Sequence, residues 1–328
     1  MKLKFAALCA PFALLAACGG GGSSSPPAGG PSPSPTPTPT PTPAPTPISY
    51  FKVDDLTGDQ NFETACAGVQ SVGGIVYALP ATRFSEGLDL RFADASDTWT
   101  IARQGQSNTA DFTPAEIVQS SKPGFVQYRG PNFFDLRDDS FFLGQGNLGG
   151  KQADYVRGFN LFWYIIRNDS DIEDNYCVFG VQTDTADTLP TTNLTYLDSA
   201  VDGVLFEGDR EPAVRYDLSA SQVRIATSSN AREITIALDL KGQQIEADGN
   251  RSSIITEIED FNGAVSVASG TTNFAGTLQN PAVSNVRAAF AGSYFGPRGV
   301  EAGIVFHAQF QRADGTFVTL AGMVRAQQ

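Results

Sequence analysis

From residue 185 onward, apolar residues recur at every second position, which restricts the chain to extended strands that each bury one face. Ile234, Ile236, Leu238 and Leu240 point one way, while Glu233, Thr235, Ala237 and Asp239 point the other. Ile304, Phe306, Ala308 and Phe310 oppose Val305, His307, Gln309 and Gln311, and the second set is expected to face solvent. Val214, Tyr216 and Leu218 repeat the pattern, as do Val318, Leu320, Gly322 and Val324 after a turn at Ala313-Asp314-Gly315. Glycine-containing breaks separate these runs at hairpin intervals. A β-sandwich satisfies such a pattern, but an up-and-down barrel removes the exposed edges and is the more economical solution. The first half is less regular, with strands expected at 74–79, 99–101, 124–128 and 159–166 and one or two helical turns at 115–120. The expected fold is all-β.

The N-terminus carries a different message. Lys2 and Lys4 precede an apolar run, Phe5 to Leu15, that is too short to cross a bilayer core of about 20 helical residues. It reads as an export signal over 1–17. Leu15-Ala16-Ala17-Cys18 has the form of a lipobox, which makes Cys18 the expected acyl acceptor and a palmitate-type chain part of the anchor. Gly19 in place of aspartate favours the outer membrane over retention at the inner one. Residues 18–47 then form an expected disordered tether, with eleven of the chain's 20 prolines between Pro26 and Pro47. Proline fixes φ and removes a donor, so this tract should be extended polyproline II, spanning about 70 Å.

Charge narrows the partners. The formal net charge is −13, and such a surface repels nucleic acid and anionic lipid. Membrane contact is therefore expected through the lipid alone. Cys66 and Cys177 remain after Cys9 leaves with the signal and Cys18 is acylated. In an exported protein they read as one disulfide, the alternative being two buried thiols.

The segment Gly292-Ser293-Tyr294-Phe295-Gly296-Pro297, continuing through Glu301, Gly303 and Phe306, resembles the closing signature of the transferrin-binding-protein-B-like bacterial surface lipoproteins. Residues 155–163, Tyr176-Cys177-Val178-Phe179-Gly180, Thr183, Leu189-Pro190 and Tyr196 resemble the family's approach to its barrel. The sequence departs at Gly299, where alanine is usual, and at Ala302, where a glycine is usual. The resemblance implies a handle-like β-rich domain over 48–184 and an eight-stranded antiparallel up-and-down barrel over 185–328. It also implies outer-membrane surface display, solute or protein binding, and partnership with an outer-membrane translocator or a TonB-type receptor. No cofactor is expected.

Chemistry-bearing constellations are few. A catalytic triad or multi-histidine metal site would rest on His307 alone, read here as a surface residue, and no enzyme is expected. Glu301, just inside a strand, is either a ligand-binding carboxylate or an acceptor for the adjacent turn's own amides, the second being favoured. Residues 169–174 have a calcium-loop flavour without its glycine and bidentate glutamate, and read as a solvated hairpin tip. Asp54-Asp55 and Asp138-Asp139 are adjacent, wrong for acid–base pairs. Phe159, Phe162, Trp163 and Tyr164 are candidates for an exposed aromatic face. The function expected is a lipid-anchored binding protein or co-receptor for a protein or an iron-related solute. The competing expectation is a structural or adhesive envelope lipoprotein without a soluble ligand.

Overall fold

The computed structural model describes residues 48–105, 109–120, 122, 124–130, 140–148, 150–164, 172–187, 189, 192–228, 232–246 and 249–328. The expected signal, Cys18 and the expected tether lie outside these residues, as do Asp138-Asp139 and 169–171. The strands in chain order are β1 (Gln60–Phe62), β2 (Ala65–Val72), β3 (Ile75–Leu79), β4 (Leu88–Ala93), β5 (Thr98–Arg103) and β6 (Thr109–Phe112). Next come β7 (Ile117–Val118), β8 (Phe125–Arg129), β9 (Ser140–Gly144), β10 (Asn147–Leu148), β11 (Lys151–Gln152), β12 (Val156–Tyr164) and β13 (Ile172–Gly180). The second half holds β14 (Leu194–Tyr196), β15 (Asp198–Glu207), β16 (Val214–Asp217), β17 (Gln222–Thr227) and β18 (Glu233–Ile245). It ends with β19 (Arg251–Ser266), β20 (Asn273–Gln279), β21 (Ser284–Phe295), β22 (Glu301–Gln311) and β23 (Phe317–Gln327).

The second half is a closed meander. Its sheet has ten segments, but β14 and β15 pair with β17 and β16 in one continuous antiparallel register, so these four segments fill only two positions. β18 to β23 follow in order, and β23 returns to β15 from Asp198↔Gln327 to Glu207↔Val318. The result is the expected barrel of eight strand positions. Ile234, Ile236, Leu238, Leu240, Ile304 and Phe306 are all buried in its interior. At this strand number side chains fill the lumen, so the barrel is a packed core and not a pore.

Among the described residues the first half forms two larger sheets and the short β10–β11 pair. A seven-stranded antiparallel sheet runs β3-β2-β13-β12-β9-β8-β7, and a four-stranded one runs β1-β4-β5-β6. Both faces of the larger sheet are covered. Cys177 and Phe179 of β13 point to a core shared with Leu90, Trp99, Ile101 and Phe112 of the smaller sheet. Tyr176 and Val178, one residue out of phase, point to a second core shared with Val305, Ala321 and Met323 of the barrel wall. Continuous burial along β13 follows from this double covering, and it is why alternation fades in the first half.

Four expectations change. Val305 is buried under the seven-stranded sheet, not solvent-facing, because a distant segment covers the outside of β22. Glu173 and Asp174 are not a hairpin tip: both are buried in β13, with Asp174 accepting from the Asn160 amide and from Tyr176 Oη at 3.1 Å. Phe159 and Trp163 lie in the core between the two sheets and present no aromatic face outward. The 115–120 stretch is a 3-10 turn, Pro114–Glu116, running into β7.

Candidate functional site

The motif residues straddle the barrel wall: Tyr294 and Phe306 belong to the barrel interior, while Phe295 packs at the seam with the larger sheet. Tyr294, Phe295 and Phe306 are fully buried. Gly292 lies so close to the neighbouring strand that a Cβ there would stand 2.1 Å from the Gly303 carbonyl oxygen. Gly296 has φ of +70° and packs on the Tyr155 ring, so it lacks room for a side chain and uses a conformation that other residues rarely adopt. Pro297 opens the 3-10 turn Pro297–Gly299 that leads into β22. At Gly299, the position where the motif departs from its usual alanine, φ is +69°, an angle that glycine adopts freely and alanine does not.

Glu301 corrects the expectation about its donors. Its carboxylate is buried and accepts from the amides of Asp154 at 2.6 Å, Tyr155 at 2.9 Å and Val156 at 2.6 Å, not from the turn beside it. Burial raises this carboxyl above its ordinary value, while the three amide donors and Arg157 pull it back. It is a strut that ties the barrel to the start of β12.

His307 is likewise not a surface residue. Its Nδ1 accepts a hydrogen bond from the Ala81 amide at 2.9 Å, beneath the segment that follows β3. Burial lowers its imidazole from 6.5 to about 4. The unfolded chain therefore takes up the proton first as pH falls, so His307 leaves stability unaffected above pH 6.5 and erodes it between 6.5 and 4. The expected loss is roughly 2 kcal/mol by pH 5. His307→Gln, which keeps an acceptor and does not titrate, is expected to flatten that part of the urea-midpoint profile between pH 7 and 5.

Cys66 and Cys177 are bonded and sit opposite each other in the β2–β13 register, so the bridge links two neighbouring strands of the larger sheet and does not reach the barrel. Among the described residues, no three His, Cys, Asp or Glu side chains gather as they would around a metal ion.

The feature that sequence reasoning missed is a cleft of about 560 Å³ at the open end of the two-sheet sandwich. Its apolar wall is made by Leu56, Phe62, Phe92, Trp99, Leu143 and Phe179. The rings are interlocked: Phe62 stacks on Trp99 at 6.1 Å between centroids and meets Phe179 edge-on at 5.0 Å, and Phe92 lies 4.8 Å from Trp99. Its polar side is made by Asp54, Gln152 and Arg157. The Arg157 side chain is only 4% exposed, and its Nη1 donates to the Ala153 carbonyl at 2.7 Å and the Val156 carbonyl at 3.0 Å. Nη2 donates to Asp54 Oδ1 at 2.8 Å. A concave, mostly apolar chamber of this size with a few fixed polar groups is the usual form of a small-molecule site. The wall comes from β1, β4, β5, β9 and β13, and no local sequence signal could have joined them. The one hint was Asp54, an acid with no assigned partner.

No family model matches the sequence, and no curated protein matches it. Solved structures to which the chain is similar include a point mutant of transferrin-binding protein B from Haemophilus parasuis Hp5, at 9% identity. That match covers 83% of this chain and 77% of the other, with a TM-score of 0.32. Isotype 1 of the same protein from serogroup B Neisseria meningitidis matches at 10% identity over 85% and 78%, with a TM-score of 0.27. A protein of the DUF3598 family from Nostoc punctiforme matches at 10% identity over 82% and 95%, with a TM-score of 0.22. At such identities no residue role passes from those proteins to this chain.

Proposed function

We propose that this protein is a lipid-anchored surface lipoprotein of the outer membrane, held by Cys18, that acts as a binding protein or co-receptor and takes a small apolar solute into the cleft of its handle domain. In this reading 48–184 is the handle and 185–328 is the barrel that carries it. The observation that supports it is the cleft itself: six apolar side chains facing one buried guanidinium in a chamber of about 560 Å³. The barrel carries a space of about 600 Å³, but it is lined largely by Arg224, Thr235, Asn262, Thr277 and Gln279 and lacks the aromatic wall. The packed rings of the handle cleft lower the ordering cost of binding. The lipobox and the proline tract supply the anchor and the reach.

The reading is tested in two steps. On intact cells the full-length protein should be stripped by added protease, and Cys18→Ala should remove it from the membrane fraction. Protection of the protein until the outer membrane is opened would overturn surface display. The neutral probe methyl cis-parinarate should bind the full-length chain with a rise in fluorescence, and Leu143→Trp, which fills the cleft, should weaken that binding at least tenfold. A probe that does not bind, or that binds the filled variant equally well, removes the cleft from the function and leaves the structural or adhesive role.

A further inference from the structure

We propose that the solute held in the cleft has an apolar body and one carboxylate, and that the Asp54 side chain occupies the carboxylate's place when the cleft is empty. The inference rests on the cleft being the binding site. It starts from a mismatch between the two members of an ion pair. The Arg157 side chain is 4% exposed, whereas that of its partner Asp54 is 63% exposed. Buried Glu301 faces this cation only at longer range, and the one carboxylate it touches sits on the rim and is carried by a three-residue turn, Val53–Asp55. The guanidinium itself is fixed. Two backbone carbonyls hold Nη1, and Gly146 passes so near that a Cβ there would stand 2.7 Å from that atom. Nη2 is the nitrogen that meets an anion at the cleft wall.

The carboxylate of Asp54 also marks a second donor. Its Oδ2 lies 3.4 Å from Gln152 Nε2, while Oδ1 takes the Arg157 bond. Two oxygens facing two donors is the arrangement a planar carboxylate requires. The turn that carries Asp54 is tied down lightly, by the Val53 amide on the Asp154 carbonyl at 2.8 Å and by the Lys52–Asp154 pair at 3.0 Å. An exposed ion pair of this kind contributes little, so the turn can yield to a ligand acid. The acidic surface, with its formal charge of −13, gives an anion no long-range attraction. Selection for a carboxylate therefore falls to Arg157 and Gln152, and the six apolar side chains select the rest of the molecule.

The experiment compares cis-parinaric acid with its methyl ester on the full-length chain, with Asp54→Asn as the variant. The wild-type chain should bind the acid about tenfold more tightly than the ester, the effect of one charge-assisted contact. Asp54→Asn, which removes the internal competitor, should raise the preference for the acid over the ester by about a further tenfold. Equal binding of acid and ester, with no selective gain in the variant, overturns the carboxylate assignment while leaving the cleft as a binding site. Failure of both probes overturns the cleft reading along with it. If Asp54→Asn does not fold, the wild-type comparison of acid with ester decides alone.

Discussion

Replacing Cys66 and Cys177 by alanine is expected to lower the unfolding free energy by about 4–5 kcal/mol, the effect of opening a loop of roughly 110 residues in the chain-entropy account. The bridge spans 111 positions of sequence but joins strands that already pair, since Cys66 and Cys177 face each other in the β2–β13 ladder. Its effect is therefore on the unfolded chain, which is much less compact without it, more than on the sheet. The location adds a local consequence. Phe179, two residues along β13, packs on Phe62 and Trp99, which wall the cleft, so the variant should bind apolar probes more weakly at temperatures where the wild type is fully folded. Urea midpoints of the oxidised protein, the reduced protein and the double variant are the measurement. A shift below about 1 kcal/mol would show that the unfolded chain already holds this contact, as residual structure would.

Glu301→Ala is expected to cost about 3–5 kcal/mol, because three amides, of Asp154, Tyr155 and Val156, would lose their acceptor in a buried setting at once. Glu301→Gln keeps one acceptor oxygen and should cost about half as much. The penalty belongs to the seam and not to the barrel interior, where no contact changes. Hydrogen exchange should therefore show the 154–156 amides opening in the alanine variant while the amides of β22 and β23 stay protected. Uniform loss of protection across both would mean that the strut holds the barrel itself together.

Alternation made the barrel legible. β18 and β22 each read correctly on their inner face, since a lumen that fills with Ile234, Ile236, Ile304 and Phe306 needs apolar residues on one side whatever lies outside. What lies outside was not legible. Val305 is buried and His307 half-buried because the seven-stranded sheet and the segment after β3 cover the barrel there, and neither β2 nor β3 carries any sequence sign of that contact. The same blindness turned Glu173 and Asp174 into a loop. Acidic residues read as solvated unless their partners are known; Arg103 comes from a strand 70 positions away, and Asn160 becomes a partner only through the β12–β13 register.

By itself, the sequence determined the strand period, the acidic charge and the cysteine pair, all properties carried by neighbouring residues or by composition. Tertiary structure alone decided which outer faces are buried, whose amides Glu301 accepts and where the cleft lies. Those depend on contacts across a hundred or more residues, such as Arg157 with Asp54 and Glu301 with Val156. Closing such a contact costs chain entropy that only the completed fold repays, so no short window of sequence encodes it.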